Sequence, residues 1–481
     1  MTINNSLQFV LVVKKDCPTC QLILPVIESL QSRFKSHLTL YIQDDPSFLP
    51  ESPLVVDDSE LAFSYKNNIE VVPTLIRYEN DKEIDRVFGW VKDEWQNFTG
   101  MTELGQALTP FKPGCGSLTQ APGMDEVLAL RFGKAEFESR QLEFSEDIDL
   151  EEACFERGWS DGLPVVPPTP IRVLRMLKGS SRTGDQVLGN IPPDYSPCTV
   201  EKVAINAVMA GCKPEYFPLV LNAVEAALLD EFCLHGLLCT TYFSSPVVIV
   251  NGPMAKKVGM NGGVNALGQG NRANATIGRA LQLVVRNVGG GRPGEIDRAT
   301  LGNPGKYTFC FAEDESDEEW QTLAEGRGVP RDKSAISLFA GDGVQAVMDQ
   351  RSRTPESLVK SIAQSLRVVA NGKVYGMADA ILVVSPEHRR IFREAGWKKP
   401  DVHEALMNEL SIPGEKIVRG ADGIMEGMPE IFKDKQLNKF RPEGLHIVSA
   451  GGTAGMFSAI ISGWVATGKM GSQMVTREII E

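Results

Sequence analysis

Two adjoining stretches, Phe9-Val-Leu-Val-Val13 and Lys14-Lys15-Asp16-Cys17-Pro18-Thr19-Cys20, decide how the start of the chain folds. Five consecutive apolar residues have the length of a buried strand. After Cys20, the residues Leu22, Ile23, Val26, Ile27 and Leu30 recur at helical spacing. The CxxC therefore falls where a strand ends and a helix begins. A thiol there meets unpaired N–H groups and the positive end of the helix dipole, and both favour its thiolate. Lys14 and Lys15 add positive charge nearby in sequence. This makes Cys17 the attacking thiol and Cys20, one turn on, the resolving thiol. A zinc half-site is the competing use of such a pair. It needs a second CxxC or a His pair, and none stands nearby, so no metal is expected.

Outward from this motif the signals continue. Residues 38–42 read as a second strand and 59–66 as a short helix. Val71-Val72-Pro73-Thr74 leads into a third strand at 75–78, and an Asn80-Asp81 turn into a fourth at 83–88. With Cys17, Cys20, Pro25 five residues past the second cysteine, and Val72-Pro73-Thr74, residues 7–98 resemble the thioredoxin fold. The resemblance implies that Pro73 is cis, lies against the thiol pair and belongs to the catalytic set. The centre of the motif departs from thioredoxin: Asp-Cys-Pro-Thr-Cys replaces Trp-Cys-Gly-Pro-Cys, and Cys-Pro-x-Cys is closer to glutaredoxins.

The whole chain has 481 residues, 42% hydrophobic and 23% charged, which is long enough for two to four domains. A net charge of −13 and a pI near 5.1 argue against nucleic acid and anionic membrane surfaces as partners. No apolar run reaches the ~20 residues of a bilayer span. At the N-terminus the apolar stretch precedes the lysines, the reverse of a signal peptide, so a cytoplasmic location is expected. Nine cysteines in a reducing compartment are expected to be mostly free thiols.

Residues 101–150 read as a Pro/Gly-rich linker between a thioredoxin-like domain (1–100) and a large α/β domain (151–481) expected to be catalytic. Within the linker, Cys115 sits between Gly114 and Gly116, an accessible thiol placed to exchange with Cys17 and Cys20 or to act at the second domain's site. An incidental small residue in a turn is the competing reading.

Beyond 158, short apolar runs alternate with helical patterns, giving a mixed α/β class for the chain. Ser196-Pro197-Cys198 reads as a helix start with Ser196 as N-cap, which places Cys198 in the first turn as a second reactive thiol. Residues 259–276 are rich in Gly and Asn and run into a helix ending near 288. Asn271, Arg272, Asn274 and Arg279 read as ligands of a carboxylate or phosphate; a glycine-rich packing or subunit-contact loop, its arginines paired to acids, is the competing reading. Arg272, Arg279 and Arg286, seven apart, form one cationic stripe. Gly289-Gly-Gly-Arg-Pro-Gly-Glu-Ile-Asp297 is another glycine loop. Ser385-Pro386-Glu387-His388 opens a helix, with His388 a candidate proton carrier. Gly451 and Gly452 sit in a strand–glycine turn–helix pattern (helix 456–463) and join the anion-binding set.

Residues 108–481 resemble an uncharacterised bacterial family through the strings 158–168, 199–216, 270–280 and 286–297. Cys115-Gly-Ser also resembles the U-G-S-C motif of selenoproteins similar to glycine and betaine reductase components, with Leu118 in place of the final cysteine. The expectation is a thiol-dependent oxidoreductase. The CxxC supplies electrons to a large domain that reduces a small, anionic substrate. No cofactor beyond the redox thiols is required. A thioredoxin-reductase-like protein or a low-molecular-weight thiol is the electron donor, and homo-oligomerisation is open. A protein-directed thiol–disulfide exchange module and a redox-regulated lyase or hydrolase are the alternatives.

Overall fold

A computed structural model describes residues 7–50, 52–133, 137–464 and 471–480. The first six residues, which entered the argument against a signal peptide, lie outside this range. The chain is mixed α/β, 35% helix and 23% strand, with a thioredoxin-like N-terminal region and a larger sheet-rich part. It divides into two compact units, Met1–Glu136 and Phe137–Glu481.

In the first unit, strand β1 (Leu7–Val13) ends at the CxxC, which opens helix α1 (Pro18–Leu22), followed directly by α2 (Leu24–Phe34). Then come β2 (Leu38–Ile42), β3 (Val55–Asp57), α3 (Ala62–Lys66), β4 (Val71–Val72), β5 (Thr74–Glu79), β6 (Lys82–Phe88), β7 (Trp90–Val91) and α4 (Lys92–Thr99). The main sheet runs β3-β2-β1-β5-β6, with β1 parallel to β2 and antiparallel to β5. Strand β1 is central, so both its faces are covered. That is why its residues form an unbroken apolar run rather than an alternating one. The α2 residues Val26, Ile27 and Leu30 bury on this sheet, as their spacing requires.

The expected linker divides at Glu136. Residues 101–136 belong to the first unit, and 111–121 form a strap tied to it by short strands. Strand β8 (Phe111–Lys112) pairs antiparallel with β7, and β9 (Cys115–Gly116) pairs antiparallel with β4, with Val72 opposite Cys115. Pro and Gly in this stretch make tight turns in an ordered structure rather than a spacer.

In the second unit, helices α5 (Val200–Ala210), α6 (Phe217–Ala227) and α7 (Arg272–Asn287) pack on strands β10 (Ser245–Asn251) and β12 (Ala335–Met348), with β11 (Cys310–Ala312) alongside. Helices α8 (Pro355–Leu366), α9 (Pro386–Glu394) and α10 (Lys399–Glu409) pack with β13 (Ala378–Val384), β14 (Phe440–Ser449) and β15 (Phe457–Gly463). The sheet order is β11-β10-β12-β15-β13-β14, and β16 (Val475–Glu478) pairs with the first part of β12. Residues alternate along β10: Val248 and Val250 face the helices, while Val247 and Ile249 join a separate cluster with Phe311, Phe339, Ile381, Val448 and Ile461. That cluster draws on all six strands. The sheet curls until its two edges meet, where the Asp314 N–H donates to Ser449 O at 2.7 Å.

Two expected elements differ. Residues 196–199 are a strand, and the helix begins at Val200 with Thr199 as N-cap, its side chain accepting from the Lys202 N–H. Cys198 thus precedes the helix instead of occupying its first turn. Residues 457–463 are strand β15, not a helix. Phe457, Ile460 and Ile461 belong to a β-branched and aromatic run that fits a buried pleated surface.

Candidate active site

Three thiols converge in the first unit. Cys17 is the N-cap of α1, and its Sγ accepts the Cys20 N–H at 3.3 Å. Cys17 and Cys20 approach to 3.1 Å. On the other side Cys115 Sγ stands 2.9 Å from Cys17 Sγ. This is longer than a covalent S–S bond of about 2.05 Å and closer than van der Waals contact of two sulfur atoms. The Val72–Pro73 peptide is cis, and Val72 O lies 3.6 Å from Cys17 Sγ.

The strap is held over the thiols by bonds at both ends. Thr19 Oγ1 donates to Pro113 O (2.6 Å), Lys112 Nζ to Pro18 O (2.9 Å) and Lys14 Nζ to Gly116 O (2.9 Å). Past Cys115, the buried Gln43 donates to Ser117 Oγ and Ser64 Oγ (2.7 Å each) and accepts the Leu118 N–H. Thr119 Oγ1 donates to Ile69 O. Two glycines permit the close approach. A Cβ on Gly114 would stand 2.3 Å from Val71 Cγ1 and 2.9 Å from Val72 O. One on Gly89, which has a positive φ, would stand 2.7 Å from Gly114 N.

The arrangement polarises the thiols. The hydrogen bond from Cys20 pulls Cys17 down to about 5. Cys115 and the backbone N–H groups of the first helical turn add to this, against a desolvation that opposes it. Burial and the bond to Cys17 push Cys20 up. Burial, then Cys17, also push Cys115 up. Cys17 is thus the most readily ionised of the three thiols, with Cys20 and Cys115 on either side of it. Of the lysines expected to act on Cys17, Lys14 bonds the strap and its charge favours the Cys115 thiolate, and Lys15 pairs with Asp45.

The second unit arranges its candidates differently. Cys198 is fully buried, and desolvation pushes its thiol up to about 12. His388 is also fully buried. Its Nε2–H donates to Asp349 O (2.9 Å), which leaves Nδ1 to accept from Ser458 Oγ (2.7 Å). With both nitrogens engaged it fastens α9 to β15.

Asn271 caps α7 by accepting the Asn274 N–H and donates to Gly259 O. Asn274 accepts the Asn261 N–H and donates to Asn261 O, bracing the glycine loop. Arg272 donates to Gly211 O (3.0 Å). Arg279 binds both oxygens of Asp161 (2.8 and 2.7 Å) and two carbonyls. The Gly451 N–H donates to Gly262 O, and Gly452 abuts Val264, so the two glycine loops close on each other. These residues form a bonded framework.

Two cavities lie elsewhere. One of about 500 Å³ is lined by Trp159, Pro167, Ile205, Asn206, Met209 and Asn287. One of about 610 Å³ is lined by Arg327, Lys399, His403 and His446. Neither is lined by any residue expected to bind substrate. Arg286 and Arg292 differ from the other arginines of this region: their Nε atoms are sealed from water without an acceptor. Sequence reasoning also missed Gln43, Ser117 and Thr119. The available signal was the polar side chains of Ser117, Thr119 and Gln120 close after Cys115.

Among the described residues, no helix is long and apolar enough to cross a membrane, and no three His, Cys, Asp or Glu side chains gather as a metal site. No protein-family model matches the chain, and no curated protein does. Solved structures similar to it are thioredoxins. That of Plasmodium falciparum is 23% identical, covering 20% of this chain and 82% of its own, at a TM-score of 0.15. That of Malassezia sympodialis is 19% identical over 21% and 76%, at 0.16. Thioredoxin O2 of Arabidopsis thaliana is 21% identical over 20% and 72%, at 0.15. The comparisons give no support to the expected likeness to glycine and betaine reductase components. Cys115-Gly-Ser instead forms the strap of the first unit.

Proposed function

We propose that this protein is a thiol–disulfide oxidoreductase whose first unit works as a three-thiol relay, Cys115 to Cys17 to Cys20. The contact of Cys115 with a stabilised Cys17 thiolate at 2.9 Å carries this reading. Cys115 takes up the oxidant, a low-molecular-weight disulfide, by displacing one of its thiols and forming a mixed disulfide. The Cys17 thiolate attacks the Cys115 sulfur, releases the second small thiol and forms the Cys17–Cys115 bond. Cys20, deprotonated, then attacks Cys17 and releases Cys115 as thiolate, leaving a Cys17–Cys20 disulfide. An external dithiol or two small thiols return two electrons. Pro73 and Val72 hold the cradle in which these sulfurs meet.

The strap favours a small oxidant over a protein. Strand β9 already occupies the β4 edge, where an extended polypeptide would otherwise add beside Cys17. In the wider reading the second unit holds the small anionic compound that is reduced. The unpartnered arginines favour that part, while Cys198, fully buried and poorly ionised, is no longer proposed as its thiol.

The test follows the oxidation of reduced full-length protein by 2-hydroxyethyl disulfide. The relay predicts that Cys115→Ser slows formation of the Cys17–Cys20 disulfide at least tenfold. Equal rates in parent and variant would refute it.

A further inference from the structure

We infer that Arg286 and Arg292 form a binding site for a small oxyanion, a phosphate or carboxylate group, at the C-terminal end of α7. Arg286 lies in the last turn of that helix. The chain then folds back tightly: the Gly289 N–H donates to Val284 O, the Gly291 N–H to Val285 O and the Arg292 N–H to Gly290 O. Only glycine fits this bend. A Cβ on Gly289 would stand 2.4 Å from Pro192 O. Gly290 has φ +76, and its Cβ would stand 2.2 Å from Asp194 Oδ2. The bend brings the second arginine back toward the first.

Neither guanidinium has a hydrogen bond or an ion pair with any described residue, and both Nε atoms are buried without an acceptor. A desolvated charged donor left unpaired is costly, and two side by side repel as well. Burial and the neighbouring Arg292 lower the pKa of Arg286 accordingly. The surrounding acids do not neutralise the pair. Both oxygens of Asp161 are taken by Arg279, while Asp194, whose carboxylate lies against Gly290, and the exposed Glu295 ion-pair with neither arginine. Other arginines of this unit have acids: Arg182 with Glu225, Arg389 with Asp314, Arg441 with Asp379. Two planar, half-buried forks with no partner suit an oxyanion that accepts from both.

This assignment stands apart from the relay, since it needs no thiol. Its test is the thermal unfolding midpoint of the reduced full-length protein at fixed ionic strength. One arm titrates inorganic phosphate and the other succinate. The site predicts a saturable rise of the midpoint in at least one arm; the responding arm identifies the ligand group. Arg286→Gln and Arg292→Gln each weaken that response at least tenfold. Each variant, without anion, is at least as heat-stable as the parent, because a like-charged neighbour has gone. Any of three results would overturn the proposal: no saturable response in either arm, equal responses in parent and variants, or a lowered midpoint of the variants in anion-free buffer, which would mark the arginines as structural.

Discussion

At the scale of single residues, the proposed chemistry rests on one thiol held low by its neighbours. In the reduced protein, the ultraviolet absorbance of the buried Cys17 thiolate should rise with pH through a midpoint near 5. Cys115→Ala should move that midpoint up, and Cys20→Ala should move it further, because Cys20 supplies the stronger hydrogen bond. The sign for stability follows by linkage. The folded protein releases the Cys17 proton at lower pH than the unfolded chain, whose thiol sits near 9.0. Between those values the unfolded state binds more protons, so this group adds stability as pH rises from 5 toward 9 and loses it as pH falls through 5. Cys20 and Cys115 are raised, so above 9 they act in the opposite direction. Denaturant titrations of reduced parent and Cys17→Ala across pH 5–9 should differ in slope in that sense. A second residue carries structure where binding was expected. The side chains of Arg279 and Asp161 are only 13% and 11% exposed, so Asp161→Ala leaves an unpaired buried cation. It should cost about 3 kcal/mol in chemical unfolding.

At the scale of elements, the proposed relay depends on the strap that brings Cys115 to the CxxC. Its placement depends on Gly114, where a Cβ would strike β4. Gly114→Ala should therefore destabilise by about 1–3 kcal/mol and abolish rapid Cys17–Cys115 exchange. Gly116→Ala, whose Cβ meets nothing within 4 Å, should do neither. Denaturant unfolding and the rate of disulfide formation in the two variants check this. Strand β1, the CxxC and the cis-proline loop were legible in the sequence because their signals are local: an apolar run, a fixed spacing, a Pro-Thr pair. The strap was read as a linker because its pairing with β4 and β7 spans tens of residues and leaves no periodicity. Ser196-Pro197 satisfied the rule for a helix start, yet Thr199, three residues on, makes the cap; the strand pairing of 196–199 with 187–191 overrides the local preference. Glycine-rich loops read as ligand cradles because glycine serves close packing and open backbone alike. Only the hydrogen bonds of Gly451 and Asn274 tell which use holds.

At the scale of the molecule, the nine cysteines sort by environment. Cys198 and Cys212 are buried and pushed up to about 12, and Cys310 is buried and raised. In native reduced protein near neutral pH these three should resist thiol reagents, while the exposed Cys239 reacts first, as peptide mass spectrometry of pulse-labelled protein would show. On the relay proposal redox chemistry belongs to the first unit, and the second contributes charge and cavities. The most direct test of the relay is a trap. Cys20→Ser protein is mildly oxidised and its disulfides are mapped by peptide mass spectrometry. The account predicts an intrachain Cys17–Cys115 disulfide as the dominant product. A Cys17 found only on small thiols or other proteins, with Cys115 free, would contradict it.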